Sequence, residues 1–147
     1  AAPAEPTAAP AEPTAAPAGE AAPENGAAAG DLPDPASIGD PDAGQQLWNQ
    51  NLINTSGGVA AGCVTCHYVE AARGDFTGPN MAGIAVRAQT RVPDQSAVEY
   101  LRNSIVNSNE YVVEGYSAGV MPQNYGDILS EEQINNLVAY LLTLQGE

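Results

Sequence analysis

Residues 63–67 read Cys-Val-Thr-Cys-His, and they contain both cysteines and the single histidine of the chain. Whatever the chain folds into, two thiols and an imidazole must lie together at one place. C-x-x-C-H is the attachment pattern for a c-type haem. Two thiols at this spacing can add to the two vinyl groups of one porphyrin, and the histidine that follows can ligate the iron from its proximal side. A chain with this commitment has to wrap a flat apolar body as well as bury its own side chains.

Other chemistries fit the pentapeptide less well. A redox dithiol of the thioredoxin kind expects a strand before the pair and βαβ patterning around it, and neither is visible. A structural zinc site takes four Cys or His ligands, and the chain owns only three such residues. A disulfide across two intervening residues leaves His67 without a role.

Proline divides the chain. Nine of twelve prolines lie within residues 1–41, while the aromatic residues begin at Trp48. Residues 1–7, AAPAEPT, recur as residues 8–14, and AAPAGE and AAPENG follow as decayed copies. Proline at this density forbids a helix and favours an extended chain. With almost nothing to bury, residues 1–39 read as a disordered or extended Ala/Pro/Glu-rich tail or tether. Residues 40–147 then form one domain of about 105 residues, small for a self-sufficient core, to which a haem would add a large apolar body.

The formal charge is −14, and lysine is absent. Such a surface repels nucleic acid and anionic membranes and suits a basic or mixed protein surface. No apolar run is long enough to span a bilayer, so no transmembrane span is expected. The first residues show neither the basic nor the apolar region of a secretion signal. Because bacteria attach haem to C-x-x-C-H outside the cytoplasmic membrane, the sequence reads as a mature, extracytoplasmic form.

Helix signals follow in order. Asp40-Pro41 offers a cap and a proline at the first helical position. Ala43, Leu47 and Gln50 mark one face there, with Gly44 and Trp48 beside it. A glycine-rich loop, Thr55-Ser56-Gly57-Gly58, leads into the haem motif within a long loop over residues 51–62 whose role is unassigned. Pro93-Asp94 opens a second helix with Ala97, Val98, Leu101 and Ile105 as its stripe. Ser130 and Gln133 form a capping box, with Leu129 and Ile134 as its staple. Ile134, Leu137, Val138, Leu141 and Leu144 or Gln145 continue that face until Gly146 ends it. No period-two strand stands out, so the domain reads as all-α with long loops.

The iron's other axial side narrows to two residues. A second histidine and any lysine are lacking, which leaves Met81 and Met121. Met121 sits in a loop between two expected helices, and Pro122 biases it away from helical conformation. Met81 lies 14 residues past His67, where an apolar side chain packing on the porphyrin is the simpler reading. Met121 is therefore the expected ligand. A vacant sixth position would point instead to peroxidase chemistry or gas sensing.

Together, C-V-T-C-H, G-P-N-M-A-G-I, V-M-P and the closing amphipathic helix resemble the class I cytochromes c over about residues 40–146. The resemblance implies that the first and last helices cross at right angles, near Gly44 and Trp48 on one and Tyr140 and Leu141 on the other. It also implies that Pro79 offers its carbonyl to the proximal histidine. The stretches Y-L-R-N-S-I, N-E-Y-V-V-E-G-Y and V-M-P-Q-N-Y resemble more narrowly the cytochrome domain of haem–copper oxidase subunit II. They also resemble the monohaem cytochrome subunit of alternative complex III.

The expected function is single-electron transfer, not enzymatic turnover, through one haem c. Cys63, Cys66, His67, Pro79 and Met121 are its site residues, and His67 and Met121 its axial ligands. The expected setting is the extracytoplasmic face of a bacterial membrane, as a subunit of an electron-transfer complex or a tethered carrier. A lipid anchor upstream of Ala1 is one way of holding it there. A free-standing periplasmic carrier is the alternative.

Overall fold

The computed structural model describes residues 31–146. Most of the expected tail therefore lies outside the described residues. Five helices and one two-stranded hairpin follow in order: α1 (Pro41–Trp48), β1 (Leu52–Thr55), β2 (Gly58–Ala61), α2 (Ile84–Ala88), α3 (Ala97–Val106), α4 (Tyr125–Ile128) and α5 (Glu131–Thr143).

Helix α1 begins where the sequence indicates. Asp40 accepts from the amides of Asp42 and Ala43, and Pro41 holds the first position. Its buried face is Gly44, Leu47 and Trp48; Ala43 is half-buried and Gln50 exposed, which corrects the expected stripe. The reason is α5. A Cβ on Gly44 would come within 1.9 Å of the Asn136 carbonyl oxygen and 2.9 Å of Tyr140 Cβ. Only glycine allows the backbones this close, and the approach turns Trp48 onto Tyr140, ring centroids 5.8 Å apart.

Helix α5 carries the expected capping box, with Ser130 and Gln133 each bonding the other's amide. Leu129 and Ile134 are both buried beside it. Regular helix stops at Thr143, short of Gly146. The Leu144 carbonyl then accepts from the Ala85 amide of α2 and so ties α2 to the end of α5.

Helix α3 starts later than expected. Pro93-Asp94 forms a turn in which Asp94 has φ +63°, and the cap is Ser96, in a box with Glu99. Helix α2 follows Gly83, whose φ of +68° turns the chain sharply.

The hairpin corrects the reading of residues 51–62 as loop. Ile53 pairs with Ala60 and both face inward; Leu52 and Val59 face solvent. Ser56 and Gly57 make the turn. Described structure also precedes α1. Residues 35–37 form a 3-10 turn capped by Asp34, Leu32 and Ile38 pack against the core, and the Asp40 amide donates to Asn136 Oδ1 at 2.8 Å.

Candidate haem site

Residues 63–65 form a 3-10 turn behind Gly62, and the Thr65 hydroxyl donates back to the Gly62 carbonyl. The turn continues with the Cys66 and His67 amides, both donating to the Cys63 carbonyl. This tight coil sets both thiols, unbridged and half-buried, on one wall of a cleft. Burial pushes the Cys63 thiol up to about 12. A redox dithiol depends on a lowered thiol pKa, and the shift at Cys63 runs the other way.

His67 is held from several sides. Its Nδ1 donates to the Pro79 carbonyl at 2.8 Å, as the resemblance implied for that proline. This fixes the tautomer and leaves Nε2 with a lone pair. Burial lowers the imidazole pKa, and the bond to Pro79 opposes the shift. Gly78 is a fitted position, because a Cβ there would stand 2.3 Å from His67 Cε1. Trp48 of α1 lies 6.0 Å from the imidazole, centroid to centroid, so the α1–α5 crossing backs the ring.

The Pro79 carbonyl is itself secured by Asn80. The Asn80 side chain donates to the carbonyls of Glu70 and Gly74 and accepts from the Ala82 amide. Arg87 of α2 reaches back to the carbonyls of Asn80, at 2.7 Å, and Ala82. The sequence reading gave neither Asn80 nor Arg87 a role; Asn80 entered it only as part of G-P-N-M-A-G-I, and nothing local pointed to Arg87.

The cleft holds about 1220 Å³ of empty space counted to its open mouth. Its walls are largely apolar, with Leu101 and Ile105 of α3 and Leu137 and Leu141 of α5 among them. Met81 and Met121 both line it but differ in setting. Met81 is 9% exposed within the core, on the Pro79 loop, and its amide donates to the Tyr68 carbonyl. Met121 is half-buried on the loop between α3 and α4.

The cytochrome c family model matches residues 41–145. The chain belongs to the cytochrome c family. No curated protein matches the sequence. The family binds haem c covalently and transfers electrons, and the residues present here fit that cytochrome c role. Two thiols at the attachment spacing, an imidazole with its Nδ1 committed, and a large apolar cleft meet at one place. Tyr125 is a further cleft residue of this cytochrome c domain that the sequence reading did not single out. It is 4% exposed, its hydroxyl donates to the Ala61 carbonyl at 2.6 Å, and burial raises its pKa.

Proposed function

We propose that this chain carries single electrons with His67 and Met121 as the two axial ligands, as a subunit or tethered carrier of an extracytoplasmic membrane electron-transfer complex. The observation that carries the ligation is the commitment of His67 Nδ1 to Pro79 inside a cleft that Met121 lines from a separate loop. When bound, haem c supplies the one-electron iron couple. The chain supplies everything else. Cys63 and Cys66 anchor, His67 presents Nε2, and apolar walls keep water from the cleft. A thioether opposite an imidazole raises the reduction potential.

The surface supports a basic or mixed partner. Against a net charge of −14, Arg73 pairs with Glu70, Arg102 pairs with Glu131, and Arg87 is turned onto backbone carbonyls. Such a field steers association with positively charged faces. Among the described residues no helix is long and apolar enough to cross a membrane. Association through partners, or an anchor ahead of the tail, accounts for membrane attachment. A proline-rich chain spans about 3.1 Å per residue when extended, so thirty such residues would reach roughly 90 Å.

The test is the oxidised absorption spectrum of the haem-loaded protein. Wild type is expected to show the weak far-red sulfur-to-iron band. Met121→Ala should lose it, lower the potential and bind added ligands, with haem still attached. Met81→Leu keeps an apolar side chain of similar volume and should retain the band. Loss of the band in Met81→Leu would move the ligand to Met81, and a high-spin wild type would favour peroxidase or gas-sensor chemistry. Purification from native membranes, with identification of what copurifies, tests the subunit role.

A further inference from the structure

The hairpin stands between two parts of the site that the chain must hold in register. Strand β2 ends at Ala61, two residues before the first anchoring cysteine. Helix α4 begins at Tyr125, four residues after Met121. The hairpin touches α4 at both ends. At its base, the Tyr125 hydroxyl donates to the Ala61 carbonyl at 2.6 Å. At its tip, the Thr55 hydroxyl donates to the Ile128 carbonyl at 2.5 Å. Gly57 lies backbone against backbone there, since a Cβ would meet the Asp127 carbonyl oxygen at 2.7 Å and Ile128 Cα at 2.9 Å. Between them, Asn124 Nδ2 approaches the Val59 carbonyl at 3.5 Å. Residues 124–128 cannot swing away from Cys63 without breaking these contacts.

The Met121 loop has few other restraints. Near Met121 its bonds are internal, Gly119 amide to Asn109 Oδ1 and Gln123 Nε2 to the Met121 carbonyl, while farther back Tyr116 hydrogen-bonds Asp75 and Tyr111 meets Tyr100 of α3 edge-on. Its root at α4 is the grip that follows Met121 directly in the chain, four residues on. Two four-residue strands are marginal by themselves, and Leu52 and Val59 remain 57% and 51% exposed. What the hairpin secures is α4.

We infer that the β1–β2 hairpin is a brace that fixes the Met121 loop relative to the haem-anchoring cysteines, with Tyr125, Thr55 and Gly57 as its positioning residues. The inference rests on the Met121 ligation proposed above. None of the three residues is an anchor or a ligand. They act by limiting how often the loop opens.

The experiment uses the haem-loaded full chain and measures the rate at which imidazole binds the oxidised protein. Tyr125→Phe keeps the ring and removes only the hydroxyl; losing one buried hydrogen bond of ordinary strength should raise the rate about fivefold. Thr55→Val should raise it by a similar or smaller factor. Gly57→Ala, which forces the tip off α4, should raise it at least as much as Tyr125→Phe. Ser96→Ala removes the cap of α3, away from the hairpin, and should lower the melting temperature without changing the rate. Unchanged binding in Tyr125→Phe and Gly57→Ala, or equal acceleration in Ser96→Ala, overturns the brace. If wild type lacks the sulfur-to-iron band, the ligation falls, and the brace is judged by amide exchange instead. Faster exchange over residues 117–128 in Tyr125→Phe, with α1 and α5 unchanged, upholds it; unchanged exchange there removes it.

Discussion

The α1–α5 crossing and the loop from Asn107 to Asn124 line the same cleft and are held by different means. At the crossing, backbone lies on backbone at Gly44, Trp48 and Tyr140 interlock, and seven residues of α5 are buried. The loop contains no helix or strand, and Tyr111 and Val120 expose 40% and 56% of their surface. The crossing backs His67 through Trp48, while the loop carries Met121. Stability and ligand access are therefore expected to be separable: the crossing should set the global unfolding free energy, and the loop should open at lower cost.

The largest break in this contrast should come from Gly44→Ala. The added methyl collides with the Asn136 carbonyl, backbone that cannot turn aside. Overpacking typically costs about 1–3 kcal/mol, occasionally more, and a clash with backbone belongs at the upper end. Thermal unfolding of the haem-loaded protein should show it as a large fall in Tm, with the sulfur-to-iron band intact below the transition. Loss of the band without a fall in Tm would mean that the two sides are not separable.

A smaller effect is expected from the segment before α1. Removing residues 1–30 should leave Tm unchanged. Removing residues 1–39 also takes away Leu32, Ile38 and the close approach of Gly39 to Asn135. Partial burial of two aliphatic side chains amounts to about 2 kcal/mol. Equal Tm values for the two deletions would show that residues 31–39 add nothing to the α1–α5 side. Retention at the membrane or in a complex, measured on the shorter deletion, tests the tether separately.

The smallest stability effect should come from the loop. Asn109→Ala removes the acceptor of the Gly119 amide at an exposed position. Stability should change by less than about 0.5 kcal/mol, with Tm little moved, while imidazole binding speeds up measurably. A fall in Tm comparable to that of the longer deletion would place the loop within the cooperative core.

Much of the site was legible because it is local. Cys63, Cys66 and His67 are consecutive, and the absence of other nitrogen ligands follows from composition. The starts of α1 and α5 were legible for the same reason, since Asp40 and Ser130 bond amides within three residues. The start of α3 was available on the same rule. Ser96 and Glu99 spell a capping box, and the proline three residues earlier drew the boundary too far forward.

The sequence by itself determined that two cysteines and a histidine lie together at the attachment spacing and where the longest helix begins, because each depends on neighbours along the chain. The tertiary structure decided the rest. Leu52-Ile53 puts two apolar residues side by side, which hides a strand's alternation, and the hairpin becomes visible only where α4 receives its inner face. Gly44 looks like a helix weakness until Asn136 of α5 arrives against it. Met81 and Met121 are chemically the same side chain. Burial in the core sets one apart from the other, and burial is created by residues far away in the chain.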